Sequence, residues 1–160
     1  MLPTTDHRPE HGYDLVARTF HWMSAVLVGL LITLGLTMTR LPVTTEAQAE
    51  TTFALFSLHK TVGLVTLLVA MARILWALTH RRPGPLHPYR RLESFTAEVV
   101  HWSLYGALIV LPVSGWLHHA ARPGFAPIIW PFGQTLPYIP ASEALANVFQ
   151  TIHRLAGYTL

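Results

Sequence analysis

The chain has no cysteine, which excludes disulfides, thiolate zinc sites, cysteine-ligated iron–sulfur clusters and covalent haem attachment through C-x-x-C-H. Charge is scarce as well. Only 12% of the 160 residues are Asp, Glu, Lys or Arg, against about 25% in an ordinary soluble domain. With 51% apolar residues and a mean hydropathy of +0.38, the solvent this composition fits is lipid. Acids are the scarcest charges, eight against eleven Lys and Arg, for a net +3. In a soluble protein that balance would point to nucleic acid; in a membrane chain basic residues report cytoplasmic loops, and no nucleic-acid partner is expected. What is plentiful is histidine, with ten residues. Imidazole is the commonest transition-metal ligand and is costly to bury without a partner.

Between Arg18 and Arg40, residues 19–39 carry no formal charge, the length a helix needs to cross a hydrocarbon core of about 30 Å. The run is too long for the core of a cleavable signal peptide, and no small-x-small site follows it. A second span is expected over 53–78, with Lys60 and Arg73 near its two ends, and a third over 99–121, interrupted by Pro112, which should kink it. A fourth apolar helical segment begins at Glu143 and covers 143–160. It is too short to cross, so the fourth helix is expected to be truncated. The expectation is an all-α integral membrane protein: residues 1–160 form one domain, a four-helix transmembrane bundle.

Charge in the connectors orients it. The second loop holds Arg81, Arg82, Arg90 and Arg91, whereas the first has no cation between Arg40 and Lys60 and the third has mainly Arg122. The positive-inside rule therefore makes the N-terminus and second loop cytoplasmic. The third connector, RPGFAPIIWPFGQTLPYIP, is rich in Pro, Gly and aromatics, a composition suited to a packed cap at the outer interface, with Trp130 and Tyr138 at headgroup depth.

In that orientation four histidines form two layers. His21 and His101 lie near the cytoplasmic ends of spans one and three, each followed by Trp; His59 and His153 lie near the outer ends of spans two and four, each in the pattern His-[Lys/Arg]-x-x-Gly. Gly63 and Gly157, four residues after their histidines, share their helical faces and remove bulk beside each imidazole. That leaves room for a planar ligand with axial imidazoles, a haem; close helix packing is the competing use of such glycines. Arg73 is 14 residues after His59, about 21 Å along the same face. A charge there needs a counter-charge, which haem propionates would supply, unless the side chain snorkels to the headgroups. His118 and His119, with His7, His11, His80 and His87, read as interfacial or solvated.

The phrases ARTFHW, LHKTVGLVTLLVAMARILW, AEVVHWSLYGALIVLPVSGW, FGQTLPYIP and IHRLAGY resemble the bacterial cytochrome b561 family, four-helix membrane proteins related to the cytochrome b subunits of hydrogenases and formate dehydrogenases. The resemblance implies a multi-pass protein of the bacterial inner membrane with two b haems. It implies that His59 and His153 ligate the outer haem and His21 the cytoplasmic one. In the family the partner of the span-one histidine lies four turns further along span four, which here falls past Leu160. Truncation is the preferred account, with a single haem the result; His101, in the same layer, is the alternative ligand.

What the resemblance implies about activity is electron transfer between a periplasmic donor or acceptor, superoxide among them, and the quinone pool. It also suggests the oxidation of superoxide by ubiquinone. Lys60 at the outer edge would attract such an anion. Two other functions compete with this one. The chain could be an anchor subunit that relays electrons from a docked dehydrogenase or hydrogenase, or a haem-free, His-lined transporter of metal ions or protons. The absence of intramembrane carboxylate pairs speaks against transport.

Overall fold

The computed structural model describes residues 12, 14–80, 89–134, 136 and 138–160. His7, His11, His87, Arg81 and Arg82 lie outside them. Four helices follow in order: α1 (Leu15–Arg40), α2 (Glu46–Thr79), α3 (Arg91–Ala121) and α4 (Glu143–Thr159). No strand occurs among the described residues. The first three helices are long and apolar enough to cross a membrane; α4, with 17 residues, is shorter.

The helix ends follow from local chemistry. Asp14 caps α1, accepting from Ala17 N–H at 2.6 Å, and its other carboxylate oxygen accepts from Trp76 Nε1 at 3.2 Å. One side chain thus starts α1 and ties it to the far end of α2. A capping box opens α2, in which Thr45 and Gln48 each satisfy the other's backbone N–H. This starts the helix well before its apolar stretch, as do the polar first turns of α3. Ser142 caps α4, and its N–H bonds the Ala121 carbonyl at 3.0 Å, fastening the start of α4 to the end of α3.

Many hydroxyls inside the helices are satisfied within their own helix, although Thr52 Oγ1 of α2 is buried without a hydrogen-bond partner. In α1, Thr19, Ser24, Thr33, Thr37 and Thr39 each donate to the carbonyl four residues back, at 2.7–2.9 Å. Such bonds let polar side chains sit where no water reaches them. Large apolar residues such as Trp22, Val26, Leu68, Leu75 and Phe95 are exposed on the outside of the bundle, as lipid-facing positions should be.

Each helix packs on the next in sequence, α1 on α2, α2 on α3 and α3 on α4. The described residues of the connector between α3 and α4 fold over one end. Lys60 holds it: Nζ donates to the Phe125 carbonyl at 2.6 Å and the Ala126 carbonyl at 2.8 Å and lies 3.2 Å from His119 Nδ1. The neighbouring Thr61 Oγ1 accepts from Ile129 N–H at 2.9 Å, and Gln134 bonds both backbone groups of Ile128. Trp130 stacks edge-on with Trp116 and Phe132. Ala126 is fully buried with φ +46°, a conformation costly for a residue with a Cβ. The bond from Lys60 to its carbonyl helps to hold it.

Two expectations are corrected here. Lys60 is not a free cation awaiting an anion, because its ammonium is committed to the connector. His119 is not solvated: the connector covers it, leaving 4% of its surface exposed.

Candidate haem site

The antiparallel α1–α2 hairpin produces two layers by simple counting. His59 lies against Gly35 of α1, and Arg73, 14 residues further along α2, meets His21, 14 residues earlier on α1. Arg73 Nη2 is 3.5 Å from His21 Nδ1. The layers are separated by about 21 Å of helix.

At the connector end, His59 and His153 face each other from α2 and α4, with ring centroids 6.1 Å apart and planes at 81°. A coordinated imidazole nitrogen sits about 2 Å from its metal and the ring centre about 1 Å further back, so two rings flanking one metal have centroids roughly 6 Å apart. The observed spacing fits. Among the described residues no group of three or more His, Cys, Asp or Glu comes together. At this end the side chains that meet and could hold a cofactor are the two imidazoles.

The protonation pattern also fits. His153 Nδ1 is 2.8 Å from the Leu111 carbonyl. A carbonyl only accepts, so Nδ1 carries the proton and the lone pair is left on Nε2. Ser114 Oγ stands 3.3 Å from the same nitrogen. His59 is half-buried, and its Nδ1 is enclosed without a hydrogen-bond partner.

Glycines line both rings, in part where the sequence did not suggest. A Cβ on Gly115 would lie 3.2 Å from Cε1 and Nδ1 of His153, and one on Gly35 would lie 3.5 Å and 3.9 Å from the same two atoms of His59. These glycines belong to the neighbouring helices α3 and α1. The signal that could have found them is positional: the same offset separates His21 from His101 and Gly35 from Gly115. Gly63 has nothing within 4 Å of where its Cβ would be, an open space one turn from His59. Gly157 instead faces Leu111, at 3.7 Å.

The other layer is looser. His21 is exposed and packs edge-on with Trp22. Its 3.5 Å contact with Arg73 is too long to fix a tautomer. The Arg73 guanidinium lies 5.2 Å from the centre of the Tyr105 ring, within cation–π range. His101, also exposed, turns Nδ1 to its own helix, 2.6 Å from the Ala97 carbonyl, which likewise leaves the lone pair on Nε2. His80 stacks on Trp76 with centroids 3.5 Å apart, and His118 Nδ1 bonds the Ala146 carbonyl at 2.9 Å.

Comparison with known proteins gives two findings. The family model for prokaryotic cytochrome b561 matches residues 12–160. Cytochrome b561 homolog 2 of Escherichia coli (strain K12) is 31% identical over 105 residues, covering 66% of this chain and 54% of the relative; the match thus spans about half the relative's length.

Proposed function

We propose, from the premise that this chain belongs to the prokaryotic cytochrome b561 family, that His59 and His153 are the axial ligands of a b haem at the connector end. Membership of the family makes the protein a multi-pass bacterial membrane protein that transfers electrons through haem b. The observation that carries the ligand assignment is the 6.1 Å spacing of the two imidazoles, with His153 in the tautomer a ligand requires. A haem held by two imidazoles supplies a one-electron couple that needs no open coordination position.

The chain's own residues have distinct tasks. Gly63 leaves space beside His59 for a macrocycle. Lys60 and Thr61 hold the connector over that end of the bundle and keep water from it. In the second layer His21 would hold a second haem, with His101 as its partner, and Arg73 would supply the counter-charge for its propionates. Arg81, Arg82, Arg90 and Arg91 put that layer on the cytoplasmic side of the inner membrane, with the connector facing the periplasm. Electrons then pass between a periplasmic partner, superoxide being the small-molecule candidate, and the quinone pool.

The test is a haem count by pyridine extraction with dithionite-reduced minus oxidised spectra, on the wild type and on His59→Ala and His153→Ala. Each variant should lose the same single haem, and the double variant no more than either one. Unequal losses, or full haem retention in either variant, would refute the pairing.

A further inference from the structure

The two imidazoles are carried by α2 and α4, yet what fixes their orientation is on α1 and α3. The same edge of each ring, Cε1 and Nδ1, rests on a glycine of the adjacent helix, Gly35 for His59 and Gly115 for His153. For His153 the carbonyl that its Nδ1 meets belongs to Leu111, four positions before the glycine, whereas His59 Nδ1 makes no such bond. The lack of a Cβ lets the ring reach a helix backbone that a side chain would otherwise screen. The two cradles are repeats of one device in two helices that also share His-Trp at the same offset, and between them the ring planes stand at 81°.

We infer that Gly115 is a positioning residue that holds the His153 imidazole nearly perpendicular to that of His59, so that the electronic structure of the connector-end haem is set in part from α3, with Gly35 a looser counterpart on α1. This rests on the reading of His59 and His153 as its ligands. The orientation of axial imidazoles decides how the iron d orbitals split. Parallel planes separate the two π-type orbitals and give ferric low-spin iron a rhombic, three-feature spectrum; perpendicular planes leave them nearly degenerate and give a strongly anisotropic spectrum with one dominant low-field feature.

The cradles are unequal. At 3.2 Å a methyl on Gly115 is too close, and His153 must turn or retreat by a few tenths of an ångström. At 3.5 Å and 3.9 Å a methyl on Gly35 makes ordinary contact. Moving His153 also stretches its 2.8 Å bond to the Leu111 carbonyl. That bond makes the imidazole a stronger donor, and weakening it favours the ferrous state.

The experiment is electron paramagnetic resonance with redox potentiometry on the oxidised, haem-loaded full chain. His153→Ala serves to subtract any signal from the other layer. The wild type should show the anisotropic low-field feature. Gly115→Ala should move that feature toward the rhombic pattern and raise the midpoint potential of the same haem, while Gly35→Ala leaves both where they were. A rhombic wild-type signal, or a Gly115→Ala spectrum superimposable on the wild type, overturns the inference. The rhombic wild-type outcome overturns the inference even where Gly115→Ala fails to hold haem. A His153→Ala variant that retains all its haem refutes the ligand assignment instead, so the two failures are distinguishable.

Discussion

Replacing Lys60 with methionine should release the connector while leaving the helices in place. The substitution keeps most of the apolar stem and removes the one donor that serves three acceptors. The Phe125 carbonyl belongs to an exposed residue and can turn to water. The Ala126 carbonyl and His119 Nδ1 belong to residues with 0% and 4% of their surface exposed and would be stranded. Leaving a buried acceptor unpaired costs about 1–3 kcal/mol, and part of that is offset because a half-buried ammonium no longer has to be desolvated. The net loss is about 2–4 kcal/mol, concentrated in residues 122–134, where Ala126 also holds a left-handed conformation. The reporter is the Ile129 amide, which bonds Thr61 Oγ1 at 2.9 Å beside the lost anchor. Hydrogen exchange followed by mass spectrometry on protein in lipid nanodiscs should show it exchanging roughly 30- to 700-fold faster, at tenfold per 1.4 kcal/mol. The Ala49 amide, bonded to the Thr45 carbonyl at the start of α2, should be unaffected. Exchange at Ile129 within twofold of wild type, or acceleration equal at both amides, would refute the idea that Lys60 clamps the connector.

Gly63→Leu adds a side chain to open space and improves helix propensity by up to about 1 kcal/mol. Circular dichroism should show unchanged helicity while haem affinity falls by at least about tenfold, the equivalent of ~1.4 kcal/mol of clash. Ser142→Ala removes the cap of α4, whose bond to Leu145 N–H is long at 3.4 Å. The cost should sit at the low end for a cap, about 0.5–1 kcal/mol, read as roughly two- to fivefold faster exchange at Leu145.

The helices were legible because lipid imposes a simple grammar: charge-free runs bounded by arginines, long enough to cross. Their polar extensions were less so. The first turns of α2 and α3 lie outside the apolar runs: α2 starts at the Thr45–Gln48 capping box, whereas α3 has no side-chain cap and starts at an Arg90–Glu93 pair. The histidine pair at 59 and 153 was legible because both lie in one repeated phrase. Their glycine backing was not, since contacts at i+4 on one helix can be counted from sequence, whereas Gly35 and Gly115 reach the rings from other helices. Lys60 and His119 could not be read correctly without the connector, whose path depends on positive φ values at Ala126 and Tyr138 that no periodicity reveals.

The division of labour between neighbouring helices bears on how the protein is put together. The α1–α2 hairpin contains His59 with its glycine, and the α3–α4 hairpin contains His153 with its own. Each imidazole and the glycine it rests against therefore lie within one hairpin, so that contact needs no residue from the other half. The halves meet where α2 packs on α3 and where Lys60 and Thr61 of the first hairpin clamp the connector of the second. A haem held by His59 and His153 would add one more cross-link to a seam the protein already closes, so losing the cofactor should loosen that seam without parting the hairpins.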